Sequence, residues 1–305
     1  MEYVIFAAVN REQIFTLIAV PLYFVAMLLE LFFQSRKQHK GYQLPDTLMS
    51  FWFALVGASF DILMKGVCFM ILDWCNDHAF FTPNLLTHYP VFAWIIVFLA
   101  QDLAFYWLHR TEHTTRIFWA VHSNHHSSPN YNFAVALRSS VFQPFYRFLF
   151  YIPVAFLGFD GLTIMFIYAL NQFYQFWLHT EAVGKLPTWY EWFFVTPSHH
   201  RVHHASNIRY LDRNMGQVLI IWDKLFGTFQ EELPEDKPVF GLTKPLESHH
   251  PIHAILHEFY LLRDDWRKTP KWSDRLRYLI HAPGWSHDGS TKTANDLRRE
   301  QEQNG

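Results

Sequence analysis

The chain contains little cysteine, little charge and no nucleotide-binding GxGxxG motif. Of its 305 residues only Cys68 and Cys75 are cysteines, which excludes a disulfide framework and a CxxC metal or redox motif. Charged residues make up 17% of the chain, whereas an average soluble domain has roughly 25%. The net charge of -2 provides no basic excess for phosphates, so nucleic acid is not the expected partner.

The segment before the first apolar stretch also lacks the features of a signal peptide. It carries Glu2, Arg11 and Glu12 but no basic n-region and no small-residue cleavage site. We therefore expect the first apolar stretch to be retained as a membrane anchor. Aromatic residues make up 19% of the chain, with 31 Phe and 12 Trp, and these types are common in lipid contacts and at membrane interfaces.

Apolar stretches of the sequence predict an all-α membrane protein. They cover residues 14–33, 47–72, 91–108, 141–157 and 162–178. The first three have spanning length, and the last two predict a helical hairpin that crosses only in part. Asp61 and Lys65 have i,i+4 spacing in the second stretch, which predicts an ion pair on one helix face. A soluble all-α protein with buried helices is the alternative interpretation.

Loop charges predict the orientation of the bundle. Arg36, Lys37 and Lys40 follow the first stretch, while residues 73–90 contain no Lys or Arg. The positive-inside rule then places the first loop and all histidine clusters on the cytoplasmic side. The expected fold is a helical bundle of about four to five membrane helices with a cytoplasmic helical cap that carries a di-metal site. We expect membrane helices over 1–90, a catalytic domain over 91–243 and a polar peripheral tail over 244–305, with a helix at 274–280 and disorder from 286.

Clustered histidines are the main chemical signal. The chain has 19 histidines, and eight of them form one HxxxH and two HxxHH boxes. These are His109, His113, His122, His125, His126, His200, His203 and His204. Residues three and four positions apart share a helix face, so each box presents its imidazoles together. A single ion takes four to six ligands, so eight predict two metals, and the scarcity of thiols argues against a structural zinc-thiolate site.

Other histidines are weaker candidates. His179 ends the fifth apolar stretch and is predicted to complete the metal site as a ninth ligand. His250, His253 and His257 also have helical spacing, but Pro251 interrupts them, and no role is assigned to them or to His199. Any one histidine taken alone has an ordinary alternative, a hydrogen-bonded surface or core position.

Asp102 and Arg138 are candidate supporting residues. Asp102 lies seven residues before His109 in an apolar segment, where a carboxylate needs a partner. It is predicted either to accept a hydrogen bond from a ligand imidazole or to make an ordinary buried hydrogen bond. Arg138 is predicted to hold a lipid head group or a nearby carboxylate, and its alternative is a solvated arginine.

The boxes and their flanking residues resemble the fatty acid hydroxylase / sterol desaturase superfamily. The runs at 122–132, 136–140, 171–181, 196–204 and 219–229 look especially like its alkylglycerol monooxygenase branch. The resemblance is close over residues 102–243. It implies that the eight boxed histidines bind two irons and that His179 lies near them. Thr114 departs from the animal members of that branch, which carry Glu at this position, so the substrate and the electron donor stay open.

The resemblance implies an oxidoreductase that uses O2 to hydroxylate a lipid C–H bond, with the ether-linked carbon of an alkylglycerol as one target. A sterol, fatty-acid or carotenoid hydroxylase or desaturase is the alternative within the superfamily. A membrane metal transporter or metal-binding protein is the alternative from another class. The electron donor is expected from outside the chain, as a reduced pterin, a cytochrome b5-like protein or a ferredoxin. The expected location is a bacterial inner membrane or the endoplasmic reticulum.

Overall fold

The computed structural model describes residues 2–36, 41–80, 88–246 and 250–304. The described helices, numbered in chain order, are α1 Glu2–Arg36, α2 Leu44–Asp77, α3 Pro90–Thr114, α4 Arg116–His122, α5 Phe133–Ala136, α6 Arg147–Phe156, α7 Gly161–Trp177, α8 Thr188–Phe193, α9 Pro197–His204, α10 Ile221–Phe226, α11 Pro251–Lys268, α12 Trp272–Ile280 and α13 Ala294–Asn304. The described residues form no β-strand and only isolated bridges. The all-α prediction is confirmed.

Three helices are long and apolar enough to cross a membrane: Ile14–Arg36 within α1, then α2 and α3. The pair Gln143–Phe156 and Gly161–Trp177 bends by 120° and adds a fourth span only if it is taken as one broken span. Among the described residues the count is therefore three or four, which reaches the lower figure of the predicted four to five. The reason is length, since the 10 residues of α6 and the 17 of α7 extend about 15 and 25 Å, whereas a bilayer core is about 30 Å thick.

Local signals in the sequence determine where these helices begin and end. Proline occupies the first turn of α2 and of α3, where its missing N–H costs nothing. Gly158 ends the segment of α6 with φ of 97°, a left-handed conformation that glycine adopts freely. The Asp160 side chain then accepts a hydrogen bond from the Thr163 N–H at 2.8 Å and caps α7. The bend between α6 and α7 is thus encoded locally.

Ion pairs inside the bundle differ from the predicted pairing of Asp61 with Lys65. Lys65 Nζ instead contacts the Glu12 carboxylate of α1 at 2.9 Å, and Asp61 pairs with Arg147 of α6. The prediction was wrong because helical spacing shows only which residues share a face, and two other helices supply opposite charges to that face. Of the basic loop used to orient the bundle, Arg36 is described, whereas Lys37 and Lys40 lie outside the described residues.

The apolar core lies between α2, α3, α6 and α7, with Leu72, Val97, Ala155 and Ile164 among its fully buried members. Helices α4, α9 and α10 form a cap over the C-terminal part of α3 and the end of α7, with the His203 ring 4.4 Å from His109, the Phe226 ring 5.2 Å from Tyr106 and the His200 ring 4.4 Å from His179. The last turn of α3 and the residues after α7 therefore face the cap. This arrangement places the histidines of α3 opposite those of α9.

The C-terminal tail is folded, and the prediction of disorder from residue 286 was wrong for the described residues. The predicted helix at 274–280 is α12, and α13 follows at Ala294–Asn304. His287 Nδ1 lies 3.0 Å from the Tyr278 hydroxyl, and Arg298 donates to the Leu211 carbonyl. Composition suggested disorder because the tail is polar, but these hydrogen bonds, one of them to a residue 87 positions away, order it.

Candidate metal centre

Nine histidines from five segments meet where the cap covers the ends of α3 and α7. The last two turns of α3 carry His109 and His113, and α4 ends at His122. A 3-10 turn holds His125 and His126, His179 follows α7, and α9 carries His200, His203 and His204. All are buried except His125, which is partly buried. The structure thus brings together the eight boxed histidines and His179.

These side chains divide into two groups. The five-histidine group is His109, His113, His122, His126 and His203, and the four-histidine group is His125, His179, His200 and His204. Within each group the candidate ligand nitrogens all lie within 4.8 Å of one another. Each group is therefore compact enough to hold one ion.

Each HxxHH box is divided between the two groups. His203 lies in the five-histidine group, whereas His200 and His204 lie in the other. On α9 the last two are one turn apart on one face, and His203 is displaced by about 100°. In the earlier box the helix ends at His122, so His125 follows a turn and points away from it. Each HxxHH box therefore contributes histidines to both groups.

Distances between ring nitrogens fit metal ligation. The Nε2 atoms of His109 and His122 lie 3.1 Å apart, as do those of His122 and His126 and those of His179 and His200. Two nitrogens about 2.1 Å from one ion and at right angles are about 3.0 Å apart. The Nε2 atoms of His113, His203 and His204 are buried without a hydrogen-bond partner among the described residues. Buried polar atoms rarely lack partners, so these nitrogens fit a set of metal ligands.

Outward-facing nitrogens orient the imidazoles. Four histidines donate from Nδ1 to a backbone carbonyl at 2.9–3.0 Å, which leaves the Nε2 lone pair free for a metal. The pairs are His109 with Met215, His125 with Arg138, His179 with Gln175 and His203 with Arg213. The tautomer that metal binding requires is therefore set by the fold.

Two carboxylates that the sequence analysis missed also contact ligand imidazoles. Glu112 Oε2 lies 3.2 Å from His122 Nδ1, and the Gln143 amide and the Tyr146 hydroxyl donate to Glu112 Oε1 at 2.9 and 2.6 Å. Asp212 Oδ1 lies 3.2 Å from His113 Nδ1. The available signal for Glu112 was a carboxylate directly before His113 at the end of an apolar helix. Nothing in the sequence marked Asp212.

Burial keeps the imidazoles of the cap uncharged. Burial and the neighbouring imidazoles lower the pKa values of His122, His126, His200, His203 and His204 well below their usual range. Burial also lowers the pKa of His125 to about 4. Neutral imidazole is the form that ligates metals. The cluster is thus ready to bind cations at neutral pH.

The loop whose Met215 carbonyl accepts the hydrogen bond from His109 Nδ1 is held in place by two buried carboxylates, Asp223 and Asp102. The Asp223 side chain accepts from the N–H groups of Met215 and Gly216 at 2.6 and 2.8 Å, and burial raises its pKa to about 6. Asp102 accepts from the N–H groups of Val218 and Leu219 at 3.0 and 3.1 Å. Its hydrogen bonds in the described chain thus go to this loop and to an indole, not to an imidazole. The structure agrees with the ordinary buried hydrogen bond that was its alternative interpretation.

The remaining candidates lie outside the two groups. Arg138 is buried, pairs with the Asp46 carboxylate and donates to Ser127 Oγ at 2.9 Å. Its guanidinium is therefore not solvated, and its backbone carbonyl orients His125. His199 forms a capping box with Thr196 at the start of α9. The histidines His250, His253 and His257 lie at or in the first turns of α11 and belong to neither group.

Cavities lie on both sides of the histidines. One of about 210 Å³ is lined by His109, His125 and His179, together with apolar and amide side chains from the membrane helices. It shares Tyr23 and Gln172 with a cavity of about 700 Å³ between α1, α2, α6 and α7. A cavity of about 180 Å³ lies on the other side, where His113, His203 and the C-terminal tail line it. The first two cavities are therefore adjacent, and the larger one lies among the membrane helices.

Comparison with known proteins gives a consistent picture. Residues 94–228 match the model of the family described as fatty acid hydroxylase. The chain is 34% identical over 269 residues to alkylglycerol monooxygenase of Xenopus tropicalis, which covers 88% of this chain and 58% of the relative. It is 36% identical over 270 residues to the Homo sapiens enzyme of that name, which covers 88% of this chain and 59% of the relative.

A more distant relative is also a lipid hydroxylase by name. Ornithine lipid hydroxylase of Rhizobium tropici is 26% identical over 195 residues, covering 62% of this chain and 56% of the relative. The chain spans about three fifths of the length of the alkylglycerol monooxygenases it matches. No solved structure matches the chain significantly.

Proposed function

We propose that this chain is an integral-membrane di-iron oxygenase of lipids. The premise is that it belongs to the fatty acid hydroxylase family and is a homologue of the alkylglycerol monooxygenases. The observation that carries the proposal is the pair of buried histidine groups beside a cavity that leads into the membrane bundle. All ligand candidates are neutral nitrogen donors. Imidazole sets of this kind suit iron, zinc, copper and nickel.

When bound, a pair of iron ions supplies the activation of O2 that hydroxylation of an unactivated C–H bond requires. The task of the chain is to position one carbon of the lipid and to exclude water. Phe105, Leu137 and Phe176 give the 210 Å³ cavity apolar walls, and Gln143 and Gln175 add amide groups. An amphipathic substrate suits such a lining, since its polar end needs hydrogen bonds beside the apolar contacts.

An alkylglycerol is the substrate class that the named relatives favour. Hydroxylation of the carbon next to the ether oxygen gives a hemiacetal, which separates into an aldehyde and a glycerol. A sterol, fatty-acid or carotenoid hydroxylase or desaturase is the alternative, and sterol desaturases are among the more distant relatives. The 700 Å³ cavity supports a long-chain substrate in either case, because it adjoins the cavity beside the histidines and lies among the membrane helices.

We further propose that the reaction domain covers residues 91–243 and faces the cytoplasm of a bacterial or endoplasmic-reticulum membrane. Electrons come from a reduced pterin, a cytochrome b5-like protein or a ferredoxin. The 180 Å³ cavity, lined by His113 and His203, supports a separate approach for the electron donor, because it lies on the opposite side of the histidines from the 210 Å³ cavity proposed for the lipid.

Metal analysis and lipid turnover test the proposal together. The purified protein should contain two irons per chain. His203→Ala removes a member of the five-histidine group and His125→Ala removes a member of the four-histidine group, so each variant should contain less iron and should no longer oxidise lipid. His253→Ala is the matched control, because this histidine lies outside both groups, and it should change neither value. A single exchangeable zinc, with lipid turnover intact in the first two variants, would contradict the proposal.

Lipid analysis identifies the substrate. Membranes with and without the protein are supplied with O2 and each candidate donor, and the lipids are compared by mass spectrometry. Loss of alkylglycerols with gain of fatty aldehydes supports the ether-lipid reaction. A new hydroxyl group or double bond on a sterol or acyl chain supports the alternative.

A further inference from the structure

Helix α12 exposes an apolar row on the face that points away from the protein. Trp272, Leu276 and Ile280 are 67%, 55% and 65% exposed. At four-residue spacing they fall within an arc of about 80°. The opposite face is the one that packs, since Asp274 and Tyr278 are buried. The protein covers one face of this short helix, so an apolar row on the other face needs a further partner to cover it.

Basic side chains surround this row. Residues 267–280 contain five basic side chains and one acidic side chain, Asp274. On α12 itself Arg275 and Arg277 flank the row on opposite sides, and Arg275 lies 5.0 Å from the centre of the Trp272 ring. A row of Trp, Leu and Ile between basic residues is the pattern of a helix that lies in the plane of a membrane interface. The excess of positive charge favours anionic lipid head groups.

Contacts of α12 place it at the level where a membrane helix ends. Helix α3 ends at Thr114, and Arg116 follows two residues later. The Arg116 N–H donates to the His281 carbonyl at 3.0 Å, and its guanidinium lies 5.6 Å from the centre of the Tyr278 ring. The C-terminal end of α12 is thus attached to a residue that directly follows the third membrane helix.

The preceding helix reaches the same level. Ala254 and Ile255 of α11 pack against Phe53 of α2, which lies nine residues inside that helix and so about 14 Å from its start. Arg116 also pairs with Glu258 and Asp265 of α11 at 3.2 and 2.6 Å. Helices α11 and α12 are therefore held beside the spanning helices rather than projecting into solvent.

We propose that α12 is an interfacial helix whose Trp272–Leu276–Ile280 row inserts into the head-group layer of an anionic membrane. The inserted row and its basic flanks fix the height of the cap above the bilayer. This placement does not depend on the chemistry at the histidines, so it can fail or succeed independently of the proposed oxygenase activity.

Spin labelling in lipid nanodiscs tests the placement. The full chain carries a nitroxide at Leu276→Cys, and its collisions with O2, which concentrates in lipid, are compared with those with a water-soluble nickel chelate. Ser290→Cys is the control, since this exposed residue lies two positions before Lys292, which lines the cavity on the far side of the histidines. Cys68 and Cys75 are buried, so the unsubstituted protein should take up no label.

We expect the label at position 276 to collide severalfold more with O2 than with the nickel chelate, and the label at 290 to show the reverse. Ile280→Cys should repeat the result if Leu276→Cys does not fold. Changing the nanodisc lipid from phosphatidylcholine to a mixture with phosphatidylglycerol should increase the difference, and Arg275→Gln with Arg277→Gln should remove that increase. Equal nickel accessibility at 276, 280 and 290 overturns the proposal, and points to a protein partner for this face.

Discussion

Glu112→Gln is expected to weaken the ion of the five-histidine group while the four-histidine group stays loaded. Glu112 contacts His122 of the former group at 3.2 Å and contacts no member of the latter in the described structure. A carboxyl group beside Nδ1 fixes the orientation of the imidazole, and loss of such a partner lowers metal affinity about 10–100-fold. This range corresponds to about 1.4–2.7 kcal/mol.

Part of the hydrogen-bond network around Glu112 survives the change. A glutamine oxygen still accepts from the Tyr146 hydroxyl, and His122 keeps its contact with Ser140 Oγ at 3.0 Å. The same glutamine oxygen accepts from the Gln143 amide, and the new NH2 group takes the place of Oε2 beside His122 Nδ1, where it cannot accept a hydrogen bond. The protein should therefore fold, with a modest loss of thermal stability.

The assay is a chelator titration with iron counted per chain. The variant should release its first iron at about 10–100-fold lower chelator concentration than the unsubstituted protein, and the second at an unchanged concentration. Asp160→Asn is the matched control, since it changes a helix-capping carboxylate far from the histidines and should lower stability alone. Release of both irons together, or no change in release, would refute the assignment of Glu112 to one group.

Three further predictions follow from the site, its access path and the tail. Burial lowers the pKa of His125 from 6.5 to about 4, so the unfolded chain binds more protons than the folded chain between these pH values. The metal-free protein should therefore be most stable above pH 6.5, and its melting temperature should fall towards pH 4. A melting temperature that does not change with pH would contradict this. Ala136→Phe fills part of the 210 Å³ cavity and should lower lipid turnover about 100-fold with iron content unchanged, so full turnover would exclude this cavity as the substrate site. Gly284 has φ of 86°, and an added Cβ would lie 2.1 Å from the Lys292 carbonyl oxygen. Gly284→Ala should therefore lower the stability of the folded tail by about 1–2 kcal/mol or more and speed its proteolysis. Cleavage at the original rate would show that the tail is not held at this turn.

Helical spacing was sufficient to predict which histidines meet. The HxxxH and HxxHH patterns depend only on the geometry of one turn, and His179 could be added because it ends an apolar stretch. Spacing did not predict how the boxes divide, because His125 is separated from His122 by the end of a helix. That division depends on the approach of α9, a tertiary contact that the sequence does not display.

Partners supplied by other segments explain the remaining differences. Asp61 and Lys65 share a face, but Arg147 and Glu12 lie closer to them in the bundle than they lie to each other. The polar tail is ordered by hydrogen bonds such as that from Arg298 to Leu211, 87 positions away. Asp212 adopts a φ of 54°, a conformation open mainly to Gly, Asn and Asp, and thereby reaches His113. Local sequence patterns do not predict such contacts between distant segments.

The 700 Å³ cavity between α1, α2, α6 and α7 has a kinetic consequence. Its walls include the spanning parts of α1 and α2, so under the proposed function a lipid substrate would enter from the bilayer by lateral diffusion rather than from water. The concentration that governs the rate is then the mole fraction of substrate in the leaflet rather than its molarity in the sample. Adding inert lipid at constant total substrate would slow such an enzyme, and its apparent Michaelis constant has meaning only as a surface composition.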